Sequence, residues 1–231
     1  MNRLVKRIME WTSLGVMGGF ALVLGGCAYH GQGLDDPITR RAVWYSFAGG
    51  DDIRERCGAG GPDQYRLIYN GNWNDQVRIY DLGGPKGRLA LHEQILQGLS
   101  VDLITINADD LLAPWRGNQA DLTLSETEYA TMVTSLVQSG LFQPPPVGLR
   151  LPSDGYYWTV VGCRNGQFVF NAWLYPSPPF LALSFPDILM DLDRTSVPFG
   201  EPLPAGQDLR QDVRTREEQR WTIQVGEKGL F

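Results

Sequence analysis

The chain of 231 residues has few of the side chains and motifs that enzymes use for catalysis. It has two histidines and three cysteines, and it lacks a Gly-x-Ser-x-Gly elbow, a phosphate-binding loop and a dinucleotide fingerprint. His30 and His92 are distant in sequence, and neither has an obvious nucleophile beside it. These histidines and the irregularly spaced cysteines are too few for a metal site. The sequence therefore predicts no catalytic residue, no metal and no cofactor.

The chain also lacks a basic charge balance and a hydrophobic run long enough for a membrane span. Its net charge is −6, and residues 1–26 carry three basic side chains and one acidic side chain, so residues 27–231 carry −8. A domain this acidic has no electrostatic attraction for nucleic acid or for anionic lipid. The apolar stretch Val16–Leu24 is too short to cross a bilayer comfortably. Nucleic acid is therefore excluded as a partner.

The N-terminus has the order of a secretory signal. Three basic side chains lie within the first seven residues, and Val16–Leu24 follows without a charge. The segment closes on Leu24-Gly25-Gly26-Cys27, which resembles the lipobox of bacterial lipoproteins. The resemblance implies cleavage before Cys27 and attachment to a bilayer through acyl groups, such as palmitate, on its thiol. An uncleaved N-terminal anchor with an incidental cysteine is the alternative.

The same resemblance implies a location and a division of the chain. Lipoproteins of this class face the periplasm, and in some bacteria an Asp after the cysteine retains them in the inner membrane. Ala28 stands at that position and favours the outer membrane. Residues 28–41 lack periodicity and predict a flexible tether. We predict a signal peptide over residues 1–26, a lipidated N-terminus and tether over 27–41, and a single extracytoplasmic domain over 42–231.

Lipidation of Cys27 leaves an even pair of cysteines. In an oxidising compartment, Cys57 and Cys163 predict a disulfide. The closed loop of about 105 residues corresponds to roughly 4–5 kcal/mol in the chain-entropy model. Two unpaired buried thiols are the alternative.

Aromatic and β-branched runs predict two β-hairpins. The first joins Tyr65–Tyr69 to Gln76–Tyr80, and the alternation of its second strand predicts one solvated side. The second joins Tyr156–Cys163 to Gln167–Tyr175 through Asn165-Gly166, a strong turn signal. Further strands are predicted at Val43–Phe47, Gly87–Leu91, Val101–Ile106 and, as a last edge strand, Trp221–Val225. Residues 107–123 predict a loop, and Asp51 predicts the cap of a helix over Asp52–Cys57.

The strongest helix signal covers residues 126–139. Ser125 and Glu128 form a capping box, apolar residues recur at helical spacing from Tyr129 to Val137, and Gly140 ends the pattern. Asp187–Asp193 predicts a shorter helix, and Pro144–Pro146 predicts a stiff spacer. We therefore predict an α+β fold, a mainly antiparallel sheet built from hairpins, with the amphipathic helix and short helices packed on one face.

Aromatic side chains are the candidate ligand or partner contacts. Trp73 and Trp115 lie in connections beside amides and could stack on a sugar or peptide. Trp158 and Trp173 would form an outward aromatic patch or, alternatively, part of the core. Free sheet edges near the second hairpin would allow strand addition by another protein.

We expect a non-enzymatic accessory or binding component of the bacterial cell envelope. Its expected partners are the lipid bilayer, reached through Cys27, and another envelope protein. The alternative function is an envelope hydrolase or a carbohydrate-binding protein that uses Asp109, Asp110, Trp73 and Trp115. The pair Asp51-Asp52 is a weaker candidate for acid–base chemistry, because Asp51 reads as a helix cap.

Overall fold

A computed structural model describes residues 28–31, 34–58, 60–73, 75–84, 88–97, 112–202 and 220–231. The strands are β1 (Gln64–Gly71), β2 (Gln76–Gly83), β3 (Ala90–Gln97), β4 (Asn118–Thr123), β5 (Arg150–Pro152), β6 (Tyr156–Arg164), β7 (Gln167–Leu174) and β8 (Thr222–Gln224). The helices are α1 (Pro37–Gly49), α2 (Asp51–Arg56), α3 (Ala113–Arg116), α4 (Glu126–Gln138), α5 (Pro178–Leu181) and α6 (Phe185–Leu192).

Six strands form one antiparallel sheet in the order β4-β3-β2-β1-β6-β7. Both predicted hairpins are present, and β1 joins them by pairing with β6, with Leu67 opposite Val160. Asn165 and Gly166 have φ of 51° and 75°, the left-handed conformation that a two-residue turn of type I′ requires. The antiparallel sheet with short helices is compatible with the predicted α+β class.

Helices cover both faces of this sheet. On the first, which we call the α1 face, Ile68 and Ile79 pack with Phe47 of α1 in one buried cluster. On the second, the α4 face, Trp158 and Met132 belong to another cluster, to which α6 contributes as well. The prediction that helices pack on one face is therefore wrong.

Strand β2 has no solvated side where one was predicted. Arg78 and Tyr80, on the side expected to face water, are 1% and 0% exposed. The alternation of apolar and polar residues predicted that this side of β2 faces solvent. Instead, Arg78 donates hydrogen bonds to Tyr80 and to Asp193, which follows α6. Polar side chains can be buried when they are hydrogen-bonded, and for this reason the alternation did not identify a solvated side.

Helix α1 replaces a predicted strand and part of the predicted tether. Asp36 caps it, because its carboxylate accepts hydrogen bonds from the backbone N–H groups of Ile38 and Thr39, and Pro37 occupies the first turn. The buried side chains of α1 recur at helical spacing, and they are Arg40, Val43, Trp44, Phe47 and Ala48. This amphipathic pattern and the cap outweigh the β propensity of Val43–Phe47.

The segment before α1 also packs on the domain. Tyr29 is 8% exposed, its ring meets Phe47 edge-on at 4.9 Å, and its N–H donates to Ser46 Oγ at 2.9 Å. The prediction of a flexible tether over residues 28–41 is therefore wrong where the structure describes it. The apolar surface of Phe47 holds the segment against the fold.

Helix α4 lies where its sequence signals place it. Both hydrogen bonds of the Ser125–Glu128 capping box are present, and Gly140 has a φ of 85° two residues beyond the helix. Met132, Val133 and Leu136 are buried against the sheet, whereas Val137 is 43% exposed. The short helix predicted at Asp187–Asp193 is α6, which begins slightly earlier.

Four other local predictions are corrected. Residues 107–123 are not a loop throughout, because they include α3 and β4, and β4 pairs with β3. The strand predicted at Gly87–Leu91 lies further along the chain as β3. β8 pairs with β5 in a separate two-stranded sheet and does not close the main one.

Asp51 lies inside α2 and does not cap the helix. Its carboxylate accepts hydrogen bonds from Arg54 and Ser46. The strand predicted at Val101–Ile106 lies outside the described residues.

A disulfide joins Cys57, at the end of α2, to Cys163 in β6, with Cα atoms 5.5 Å apart. It fastens α2 to the end of β6, the strand next to the edge strand β7, on the α1 face. None of the helices in the described ranges is long and apolar enough to cross a membrane.

Candidate functional site

A groove runs along the edge of the sheet beside β7. It has a volume of about 530 Å³, and five consecutive residues, Asn171–Tyr175, line one side of it. Successive residues of a strand point to opposite faces, so a cavity that touches all five follows the strand's edge. The opposite wall comes from the connection between α4 and β5 and includes Pro144, Pro146 and Leu149. We call this cavity the β7 groove.

Backbone hydrogen-bonding groups face the β7 groove. Tyr175 N–H donates to Tyr156 O at 2.9 Å, and this bond shows which residues of β7 are hydrogen-bonded to β6. Because antiparallel ladders alternate, the backbone groups of Phe170, Ala172 and Leu174 point away from β6. β7 ends the strand order in the part of the chain that the structure describes. The groove therefore contains main-chain donors and acceptors of an edge strand.

Asn171 holds the two walls of the groove together. Its side chain is buried, and its Nδ2 donates to Gly140 O at 2.9 Å and to Gln143 O at 3.2 Å. Its Oδ1 accepts from Ala172 N–H at 2.9 Å. The amide thus satisfies one edge donor of β7, while the carbonyl of Ala172 and the N–H of Leu174 point toward the groove. These bonds fix the distance between strand and connection.

The lining of the β7 groove is aromatic, prolyl and uncharged. Trp173 and Tyr175 come from the strand side, and the Tyr175 ring meets those of Tyr156 and Phe180 at 6.3 and 5.4 Å. Pro176, which follows Tyr175 through a cis peptide bond, and Pro179 line the same end. A second cavity of about 470 Å³ lies along Gln167–Phe170 and shares Gln143 and Pro144 with the groove. Unlike the groove, this second cavity is also lined by the charged residues Arg54, Glu227 and Lys228. The uncharged lining is therefore confined to the β7 groove, along Asn171–Tyr175.

A buried ion cluster lies on the α1 face, away from the groove. Arg66 is 6% exposed and donates to both oxygens of Asp52 at 2.9 and 3.1 Å and to Asp81 at 2.8 Å. Its guanidinium also lies 3.8 Å from the centre of the Phe47 ring. Burial raises the pKa of Asp52, but the hydrogen bonds and charges of Arg66 and Arg56 outweigh that effect and leave the pKa below its usual value.

A second buried cluster lies on the α4 face. Arg78 donates to Asp193 at 2.5 Å, to Val197 O at 2.5 Å and to Gln76 Oε1 at 2.8 Å. Glu93 is 0% exposed, and its Oε2 accepts from the backbone N–H of Arg194 at 2.8 Å. Its Oε1 has no partner among the described residues.

Burial raises the pKa of Glu93, the hydrogen bond from the Arg194 N–H opposes this shift, and the nearby charge of Asp193 adds to it, so that the pKa is about 7. The described cavities do not open onto this carboxyl. The cluster connects β2 and β3 to the segment that follows α6.

The four candidate tryptophans do not come together in one site. Trp158 and Trp173 are 1% and 5% exposed, which confirms the core alternative and contradicts an outward patch, although Trp173 also reaches the β7 groove. Trp73 packs against Trp44 and Trp221, with ring centres 4.7 and 5.1 Å away. Trp115 is half-buried, and its carbonyl accepts from Arg40.

The remaining candidates lie elsewhere. His92 contacts Asp121 on the neighbouring strand at 2.8 Å, and His30 lies 3.8 Å from Glu55 near the N-terminal segment. Cys27, Asp109 and Asp110 lie outside the described residues. Within the described ranges no three His, Cys, Asp or Glu side chains are grouped so that they could hold a metal ion.

Sequence reasoning missed Arg66, Arg78 and Glu93, and it read the proline run as a spacer when it forms a groove wall. A charged residue between apolar neighbours of a predicted strand is the signal that could have identified Arg66 and Arg78. Glu93 lies between His92 and Gln94 and has no such signal. The groove has no such local signal, because its walls are distant in sequence.

No protein-family model, curated protein or solved structure matches this chain. The geometry of the β7 groove is therefore the basis for a functional hypothesis.

Proposed function

We propose that the protein is a lipid-anchored, non-enzymatic component of the bacterial envelope that binds an extended segment of another envelope protein in the β7 groove. The observation that carries the binding function is the course of the groove along a strand edge, lined by consecutive residues of β7. The lipobox-like segment ending at Cys27 supports the anchor and a periplasm-facing location, with the outer membrane favoured by Ala28.

The groove specifies the chemistry of its occupant. An extended chain can exchange main-chain hydrogen bonds with the carbonyl of Ala172 and the N–H of Leu174, as in strand addition to a sheet edge. None of the residues that line the groove carries a formal charge. Trp173, Tyr175 and the prolines offer flat apolar surfaces, which suit apolar or prolyl side chains. The occupant is therefore an extended, uncharged, proline-containing segment.

The β7 groove is preformed in the unbound protein. The hydrogen bonds from Asn171 to Gly140 and Gln143 hold the connection at a fixed distance from β7. A groove that needs little reordering loses less conformational entropy on binding. This arrangement favours a stable accessory interaction over a transient encounter.

Photo-crosslinking identifies the occupant. A photo-reactive amino acid at Tyr175, in cells that make the full-length protein, should crosslink one reproducible segment, which mass spectrometry then maps. The same amino acid at Thr131, an exposed position on α4 away from the groove, is the control. Equal crosslinking of the same segment from both positions would contradict the groove as its binding site.

The mapped segment, made as a synthetic peptide, then tests the strand-edge geometry. Leu174→Pro removes an N–H that points into the groove while leaving the ladder with β6 intact, since edge strands tolerate proline there. We expect it to weaken peptide binding about tenfold, or about 1.4 kcal/mol. Leu174→Val keeps the N–H and should leave the affinity within about twofold. Unchanged binding to Leu174→Pro would refute strand addition.

A further inference from the structure

The N-terminal segment is fixed to the domain immediately after the residue that would carry the lipid. Tyr29 is buried at 8% exposure, its ring lies 4.9 Å from that of Phe47, and its N–H donates to Ser46 Oγ at 2.9 Å. Ser46 in turn donates to Asp51 Oδ2 at 2.7 Å. The chain therefore reaches the folded domain at Tyr29, two residues after Cys27.

This spacing limits how far the domain can stand from a membrane. Two residues span at most about 7 Å even when fully extended. Acyl groups on Cys27 must lie among the lipid chains, so the Cys27 backbone lies in the headgroup region. Since Tyr29 is hydrogen-bonded to α1, that helix lies within about one helix diameter, about 10–12 Å, of the anchor.

The outer side of α1 has the character of a membrane-contacting surface. Ile38 and Tyr45 are 81% and 40% exposed, and Arg41 and Ala42 are exposed between them. These positions share one side of the helix because their spacings are three, four and seven residues.

The charge of α1 also differs from that of the domain. The helix contains two arginines and no acidic residue, and Arg41 is exposed, although residues 27–231 carry −8 overall. The Tyr45 ring lies 6.0 Å from that of Trp221, which is half-buried. Tyrosine and tryptophan are enriched at membrane–water interfaces, and arginine pairs with lipid phosphate.

We propose that α1 lies on the bilayer, with the stripe of Ile38, Arg41, Ala42 and Tyr45 in contact with the lipid headgroups. The proposal rests on the proposed lipidation of Cys27 and adds an orientation to it. The domain is held against the membrane by its α1 face, and the α4 face is turned toward the periplasm.

Two matched labels test this orientation. Ala42→Cys on the outer side of α1 and Thr131→Cys on the outer side of α4 both replace small exposed residues within helices. Each full-length variant is lipidated in cells, labelled with a fluorophore and placed in vesicles of phosphatidylethanolamine and phosphatidylglycerol that contain a nitroxide-headgroup lipid. We expect quenching several-fold stronger at position 42 than at position 131. A flexible glycine–serine spacer inserted between Ala28 and Tyr29 should reduce quenching at position 42 to the level at 131.

The outcomes separate the orientation from the anchor. Lipidated protein with equal quenching at the two positions overturns the orientation and leaves the anchor standing. If the spacer does not change quenching at position 42, the short connection between Cys27 and Tyr29 is not what holds α1 against the bilayer, and that part of the proposal is overturned. Mass spectrometry that finds no acyl group on Cys27 overturns both the anchor and the orientation, while the crosslinking of the β7 groove remains an independent test of binding.

Discussion

Each face of the sheet buries an arginine of a central strand, Arg66 of β1 on the α1 face and Arg78 of β2 on the α4 face, and the two charges are balanced differently. Arg66 on the α1 face donates to two carboxylates, and it contacts both oxygens of Asp52. Arg78 on the α4 face has one carboxylate partner, Asp193, and otherwise neutral acceptors. A nearby carboxyl, Glu93, has no guanidinium bound to it and has one oxygen without a partner among the described residues.

This difference shows that burial alone does not decide the state of a carboxyl group. Asp52 is almost fully buried, yet the hydrogen bonds and charges of its arginines keep its pKa low. Glu93 is equally buried, and without such a partner desolvation raises its pKa to about 7. The two faces should therefore differ both in how strongly they depend on their arginine and in how they respond to pH.

The largest expected effect is the loss of Arg66. Arg66→Met leaves Asp52 buried with only the half-exposed Arg56 as a cationic partner, so we expect unfolding free energy to fall by about 3 kcal/mol. Arg78→Met is the matched variant on the other face. There Asp193 keeps two hydrogen bonds from Thr195, so we expect about 2 kcal/mol. Urea denaturation at neutral pH measures both.

The order of these two values tests the comparison directly. If Arg78→Met destabilises the protein as much as Arg66→Met, the number of carboxylates paired with the arginine does not determine the loss of stability. Retained secondary structure by circular dichroism in each variant is the control.

The next effect is a pH dependence of opposite sign on the two faces. The folded pKa of Glu93 is raised from 4.5 to about 7, so between these values the folded state binds more protons than the unfolded state, and stability falls as pH rises. Its contribution amounts to about 3 kcal/mol, fully present below the unfolded pKa and absent above the folded one. The pKa of Asp52 is lowered, so its contribution is present above its unfolded pKa and is lost as pH falls through the folded one.

Glu93→Gln isolates the α4-face contribution. The variant should lose most of the decline in stability between about pH 5 and about pH 8 and should exceed the parent protein in stability at the upper end. Unfolding free energies across that range, measured for both proteins in one buffer series, give the comparison. A variant whose stability declines as steeply as that of the parent would show that another group titrates.

The smallest effect concerns a local contact on the α4 face. Ser125→Ala removes the hydroxyl that caps α4, and we expect a loss of about 1 kcal/mol in thermal or urea unfolding. Thr127→Ala, at an exposed position in the first turn, is the control and should have little effect. A loss for Ser125→Ala as large as that for Arg78→Met would mean that helix capping matters as much as the buried charges of this face.

Local signals predicted the elements whose determinants lie within a few residues. Asn165-Gly166 identified the second hairpin, and Ser125 with Glu128 identified the start of α4. Asp36-Pro37 is the same kind of signal, but the aromatic and β-branched run Val43–Phe47 favours a strand in the same stretch of sequence. The prediction of a strand there is wrong because the apolar residues have helical spacing and pack on the sheet as one side of a helix. That packing outweighs their β propensity.

The candidate site could be predicted only in outline. The sequence indicated that sheet edges near the second hairpin could accept another strand, and β7 does end the strand order of the described sheet. It did not indicate the groove, because Pro144 and Trp173 are brought together only by the packing of the α4–β5 connection beside β7. Nor did it indicate that Asn171 would join the two walls.

By itself, the sequence determined the Cys57–Cys163 pairing, the two hairpins and the capped helix, since cysteine parity, turn residues and caps act through covalent or short-range constraints. Only the tertiary structure decided that both faces of the sheet are covered and that Arg66 and Arg78 are buried. It also decided that Tyr29 is fixed to α1. Those features depend on which surfaces meet across long sequence separations, where burial and pairing of charges outweigh local preference.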